Sequence, residues 1–176
     1  LESGYQWGGE GGDADRSAWG LNSDIGYTFK DCRMTPRIHA GYEYLTGDDP
    51  NSKTYEGWDA LLGRWPQWSE IFASRYAFEG GMPANYNNLH RAAFGISAKP
   101  IPKMTALFDY MLLWADQHTF GTSNVAPPPI PMPFNSGYFR GQFFKAVTQY
   151  KFNRYVDGEL YLEYFVPGSY YDDTTE

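Results

Sequence analysis

AWGLNSDIGYTF, residues 18–29, decides how this chain folds. One set of alternate positions, Trp19, Leu21, Ser23, Ile25, Tyr27 and Phe29, is mostly large and apolar, while Ala18, Gly20, Asn22, Asp24, Gly26 and Thr28 between them are small or polar. A period of two belongs to a strand with two unlike faces. In a soluble sandwich the large side chains would meet in a shared core, whereas in an outer-membrane barrel they would meet lipid.

The composition leans toward the second solvent. Aromatics make up 19% of residues although the mean hydropathy is −0.56, which suits sheets with one greasy and one wet face. A net charge of −7 argues against nucleic-acid binding, which needs clustered Lys and Arg to displace counterions. The single cysteine, Cys32, permits no intrachain disulfide and no Cys-rich metal site. No apolar run is long enough for a membrane-spanning helix, but barrel strands need only about 10 residues each and leave no hydropathy peak. The pattern begins at Leu1 in mid-strand with no leader, as expected of a processed chain or a piece of a longer one.

The alternation recurs in seven stretches. Leu1 to Gly8 sets Leu1, Tyr5 and Trp7 against Glu2, Gly4, Gln6 and Gly8, and GGEGGDAD then reads as a loop. The quoted strand ends at Lys30, and after DCRMT comes residues 36–47, with Ile38, Ala40, Tyr42 and Tyr44 against Arg37, His39, Gly41 and Glu43. LHRAAFGISAK, a PIP turn and KMTALFDYMLLWAD follow. Residues 103–116 also fit a helix, with Met104, Leu107, Phe108, Met111, Leu112 and Ala115 on one stripe, and only the hairpin rhythm on both sides favours a strand. RGQFFKAVTQYKF and ELYLEYFV complete the set, joined by NRYVDG, whose Asp-Gly reads as the hairpin turn.

Connection lengths alternate. Residues 47–87 form a long connection without a strand pattern, and Asp116 to Tyr138 form another, carrying APPPIPMP as a stiff polyproline segment. Both lie at the end of the strands opposite the short turns, as extracellular loops lie opposite periplasmic turns. The fold class expected is all-β: an antiparallel up-and-down transmembrane β-barrel, present as about seven strands of a larger one.

YxYLTGDDP at Tyr42 to Pro50, WDALLGRWPQWSE at Trp58 to Glu70, and YxEYFVPGSYY at Tyr161 to Tyr171 resemble the C-terminal half of the alginate-export family of outer-membrane proteins. The resemblance spans most of the chain. It implies that residues 1–176 are the C-terminal part of one outer-membrane barrel domain, of about eighteen strands in full, conducting an anionic polysaccharide or other solute. The partners so implied are outer-membrane lipid and that solute, for a monomeric barrel in a Gram-negative-type bacterium.

A channel acts through lumen-facing charge, which sets the potential that a solute feels. The pore-lining candidates are Arg37, His39, Glu43, Arg91, Lys99, Lys103, Asp109, Lys145, Gln149, Lys151, Glu159 and Glu163, with Glu2 and Asp24 beside them. Arg37 and Arg91, on neighbouring strands, are the best pair for gripping carboxylates. The alternative is that they pair with Glu43 or Glu159 and fill the wall.

Trp58, Trp65 and Trp68 could stack on sugar rings, or pack the long loop and anchor it at the membrane interface. Asp48, Asp49 and Asn51 could offer oxygen ligands to calcium, but their spacing is that of a solvated turn. His39, His90 and His118 accompany no serine elbow, and Glu159 and Glu163, four apart on a strand, have a spacing open to a glycosidase pair but nothing else that nominates them. No enzyme, metal or cofactor is expected. The reading is a passive outer-membrane channel; the rivals are a soluble β-sandwich or lipocalin-like binding protein and a small non-conducting anchor barrel.

Overall fold

A computed structural model describes residues 1–11, 14–49, 51–60, 68–80, 86–118, 122–123, 130–131 and 137–171. In chain order the elements are β1 (Glu2–Gly11), β2 (Ala14–Thr28), β3 (Arg37–Leu45), α1 (Glu70–Gly80), β4 (Leu89–Ala98), β5 (Met104–Trp114), β6 (Thr122–Ser123), β7 (Ile130–Pro131), β8 (Phe139–Lys151), β9 (Asp157–Pro167) and a 3-10 turn at Ser169–Tyr171. One seven-stranded sheet runs β1-β2-β3-β4-β5-β8-β9, every neighbour antiparallel; β6 and β7 form a separate two-stranded ladder. The sheet is open, with β1 and β9 at its edges. Its strands of nine to fifteen residues suit a tilted crossing of a bilayer.

The two faces part as the alternation predicts. Trp19 is 53% exposed, Tyr27 64% and Phe94 53%, and Ile25, Ile38, Phe108, Leu160, Leu162 and Tyr164 are exposed beside them. These rings do not converge on a dry interior, as the core of a soluble sandwich would require. Ring contacts run along this face, Tyr5 with Trp7 and Trp19, Tyr110 with Phe144, and Phe144 with Tyr164.

The buried cluster lies on the other face, among the small and polar positions. Leu45, Leu89, Ala93, Met111, Leu113 and Phe143 from the sheet meet Trp68, Phe72 and Tyr86 from the long connection, with Trp58, Ala60 and Phe165 packed against them. The long connection therefore folds back over the polar face, and it holds a helix that its lack of strand pattern left unannounced. α1 begins at a Ser cap, since the Phe72 N–H donates to Ser69 Oγ at 3.0 Å, and it carries an Arg75–Glu79 pair one turn apart.

Three local expectations are corrected. GGEGGDAD is mostly strand: β1 runs to Gly11 and β2 starts at Ala14, with Gly9 opposite Asp15. Asp157-Gly158 is not the turn but the start of β9, pairing with Lys151 and Tyr150; residues 152–156 make the turn, and Asn153 Oδ1 accepts from the Tyr155 and Val156 N–H groups. Those side-chain bonds close a loop that needs no Asp-Gly. Of the proline segment, Ile130–Pro131 pairs with Thr122–Ser123, and the rest lies outside the described residues. Residues 104–114 are strand, settled by the ladders that β5 makes on both sides.

The short turns share one end. Between β2 and β3 the Phe29 N–H donates to Pro36 O, Met34 and Thr35 hold φ of 70° and 42°, and Cys32 is exposed. Between β4 and β5, Lys103 holds φ 76° and its carbonyl accepts the Lys151 N–H at 2.8 Å.

Candidate functional site

The polar face carries a row of side chains across five strands: His39, Gly95, Asp109, Lys145 and Glu163 are successive register partners on β3, β4, β5, β8 and β9. His39 and Asp109 are two strands apart, yet His39 Nε2 lies 3.0 Å from Asp109 Oδ1. Gly95 lies between them, and a Cβ there would run into both side chains. Two rows nearer the long connections on the same face, beyond the row of Gly41 and Ala93, Arg91 Nε donates to Glu43 Oε2 at 2.9 Å.

Both rows hold the folded-back connection. Glu163 accepts from the Glu70 N–H at 3.1 Å, the Ile71 N–H at 2.9 Å and Ser69 Oγ at 3.3 Å, so its carboxylate caps the positive end of α1. Lys145 Nζ donates to Trp68 O at 3.2 Å and stands over the Tyr161 ring, whose hydroxyl reaches the same carbonyl. The Arg91 guanidinium lies 5.3 Å from the Trp68 ring centroid.

Trp68 is buried, donating to Tyr86 Oη at 2.6 Å and touching Phe72 and Phe143, and Trp58 lies over Gly4 and Gly20. These two tryptophans pack the connection onto the sheet. Trp65 lies outside the described residues.

Arg140, absent from the sequence candidates, is the most buried charge at this end, 1% exposed. It donates to Glu79 Oε2 at 2.7 Å, to Tyr171 Oη at 3.0 Å and to Asn88 O at 3.2 Å, tying α1, β8 and the 3-10 turn together. Its place at the register shift between Phe139 and Gly141, where the β5–β8 ladder skips it, put it outside the regular alternation and hid it. Burial raises the Tyr171 hydroxyl pKa above its ordinary value, with Glu79 adding to the shift and Arg140 opposing it.

Asn88, at φ 53°, accepts the Asp116 and Gln117 N–H groups at Oδ1. Burial alone would raise the Asp116 carboxyl, but bonds from His90 and the Gly47 N–H, with Tyr44, hold it below the ordinary carboxylate value.

The half nearer the short turns is open. Arg37 donates to Asp24 at 3.2 Å with its guanidinium over Gly26, and Gln149 donates to Glu159. Lys99, Lys103 and Lys151 are exposed, and no described carboxylate lies within ion-pair distance of them. They line a cleft of about 470 Å³ with Thr105, Gln149 and Asp157; a second, of about 370 Å³, includes Arg37, Ser97, Lys99 and Thr105.

Among the described residues no three His, Cys, Asp or Glu gather so as to hold a metal ion. Asp48 accepts the Glu56 N–H, and Asp49 accepts the Asn51 N–H, closing a local turn. Glu159 and Glu163 are engaged separately, one by Gln149 and the other by α1.

A family model described as Alginate export matches residues 1–176, the whole chain. No curated protein matches it. The chain belongs to the alginate-export family, whose members are outer-membrane transport proteins rather than enzymes.

Proposed function

We propose that residues 1–176 are the C-terminal part of one monomeric outer-membrane barrel that lets an anionic polysaccharide such as alginate, or a smaller anionic solute, diffuse passively along the polar face. The observation that carries this is the division of the sheet: exposed rings on one face, suited to hydrocarbon, and charged side chains on the other, suited to enclosed water. The family supplies the substrate class. A lipid-facing surface of this kind belongs in the outer membrane of a Gram-negative-type bacterium.

The polar face has two jobs. Near the long connections Arg91 pairs with Glu43, Asp109 with His39, Lys145 is held by the Trp68 carbonyl and Glu163 by the start of α1, so this part narrows the path and holds its shape. Near the short turns the face keeps open cations, and fixed charge in a water-filled passage sets which solute enters. Arg37, His39, Lys99, Lys103, Gln149, Lys151 and Glu159 are the side chains a solute meets first from that side.

Conductance in a planar bilayer tests the reading. Arg37→Glu together with Arg91→Glu is expected to shift ion selectivity toward cations, read as a displaced reversal potential. A folded protein that carries no current would instead fit the non-conducting anchor barrel.

A further inference from the structure

The three short turns are stitched into one continuous rim. The Lys99 N–H donates to Met34 O at 2.8 Å, joining the β2–β3 turn to the β4–β5 turn, and the Lys151 N–H donates to Lys103 O at 2.8 Å, joining that turn to the one between β8 and β9. We infer that the outer edge of this rim is a docking surface for anionic phospholipid headgroups of the periplasmic leaflet, with Lys30, Arg33 and Arg154 as the cations that meet phosphate; this rests on the reading of the sheet as an outer-membrane wall.

The distribution of charge points to an anionic partner. Residues 28–37, 98–104 and 150–158 hold seven Lys and Arg, half of the chain's 14, against two acids, Asp31 and Asp157, although the chain as a whole carries a net charge of −7. Four of the seven are used on the polar face: Lys99, Lys103 and Lys151 line its cleft, and Arg37 pairs with Asp24. Lys30, Arg33 and Arg154 belong to neither arrangement. They stand exposed on the turns, with no described carboxylate within ion-pair distance.

The ring-bearing face leads directly to these cations. Phe29 meets Tyr27 edge-on and Phe152 meets Tyr150 in the same way, so the surface suited to hydrocarbon continues to the start of two of the turns. Lys30 follows Phe29 in the chain, and Arg154 comes two residues after Phe152. Aromatic side chains followed by cations mark the level at which a bilayer changes from acyl chain to headgroup.

The turn tips fit that boundary better than open water. Met34, Ile101, Tyr155 and Val156 are exposed there, between the cations, and apolar side chains interleaved with long basic ones suit a surface that is part headgroup and part acyl chain. The Arg154 guanidinium lies 4.4 Å over the Tyr155 ring, which holds its fork of donors in place for a phosphate. An acidic protein would answer the charge but not the unbroken run of rings beside it.

The test uses the full-length protein in vesicles of phosphatidylcholine alone and of phosphatidylcholine with phosphatidylglycerol, reading the midpoint of heat-induced unfolding on a semi-native gel. The midpoint is expected to lie several degrees higher with phosphatidylglycerol, and high salt should erase the difference. Lys30→Gln with Arg33→Gln and Arg154→Gln should abolish the increment while leaving the midpoint in phosphatidylcholine unchanged. Lys99→Gln with Lys103→Gln and Lys151→Gln, on the polar face, should keep it. The same increment in the first variant would overturn the assignment, as would equal midpoints for the native protein in both vesicles, the result expected of a rim that serves an acidic protein. A protein that enters neither kind of vesicle would sink the membrane-wall reading itself, whereas one that enters both with equal midpoints sinks the lipid surface alone.

Discussion

His39 and Asp109 touch across an intervening strand because Gly95 has no side chain to keep them apart. Gly95→Ala would place a methyl group where both side-chain ends now meet, so the pair must separate and leave a buried carboxylate short of its partner. A loss of about 1–3 kcal/mol is expected. The midpoint of heat-induced unfolding on a semi-native gel would measure it. Gly9→Ala on β1, where a Cβ meets nothing, is the control and should change stability by no more than about 0.5 kcal/mol.

Glu163 caps α1 from a neighbouring strand, so its removal frees three donors at once. Glu163→Ala should loosen α1 by about 1–2 kcal/mol. With the connection less firmly held, single-channel conductance is expected to rise or become noisier. A conductance trace identical to that of the native protein would show that α1 does not border the path.

Arg140 sits in a nearly closed site between Glu79, Tyr171 and Asn88. Arg140→Met leaves Glu79 buried without that partner, and such a loss costs about 3–5 kcal/mol. Protease should then cut the connection around α1 while the sheet remains folded, and mass mapping of the fragments would show it.

Asp116 gives the long-connection end a pH dependence. Its folded pKa is depressed below its unfolded value, so its stabilising contribution is fully present above the unfolded value of about 3.9 and is lost as pH falls through the folded one. The protection of the Gly47 N–H against hydrogen exchange, relative to its intrinsic rate at each pH, should fall in that acid range, since this group donates to Asp116 at 2.9 Å. In Asp116→Ala the exchange should be fast at neutral pH as well.

Strand order, register parity and the division into a face of large rings and a face of small and polar side chains were legible in the sequence, because a period of two survives wherever the two sides of a ribbon have unlike surroundings. β5 needed its neighbours: the inner positions Leu107, Met111 and Leu113 blur the alternation, and Met111 and Leu113 are apolar where Trp68, Phe72 and Tyr86 cover that part of the face. α1 was missed although Ser69 and the acidic Glu70 mark its start, since eleven residues inside a long aperiodic stretch give a weak helical signal against the surrounding loop.

Among the candidate residues, Arg91, Asp109, Lys145 and Glu163 were found on the expected face but engaged in holding the protein's own chain. Pattern gives the face a side chain takes; it does not give what folds over it. Arg140 left no trace in the alternation, because its role comes from Glu79 and Tyr171, partners far away in sequence.

The two long excursions also shape how the sheet assembles. Leu45 and Leu89 are direct partners, as are Thr28 and Arg37, but joining the first pair closes a far longer span of chain. The extra loop entropy is about 1.5 kcal/mol, so the hairpins with tight turns should zip first and then dock as preformed units. Since Trp58, Trp68 and Phe72 rest against the side that a closed wall would enclose, the excursion between them has to be tucked in before closure. A slow phase on refolding that shortens when this segment is trimmed would be its kinetic trace.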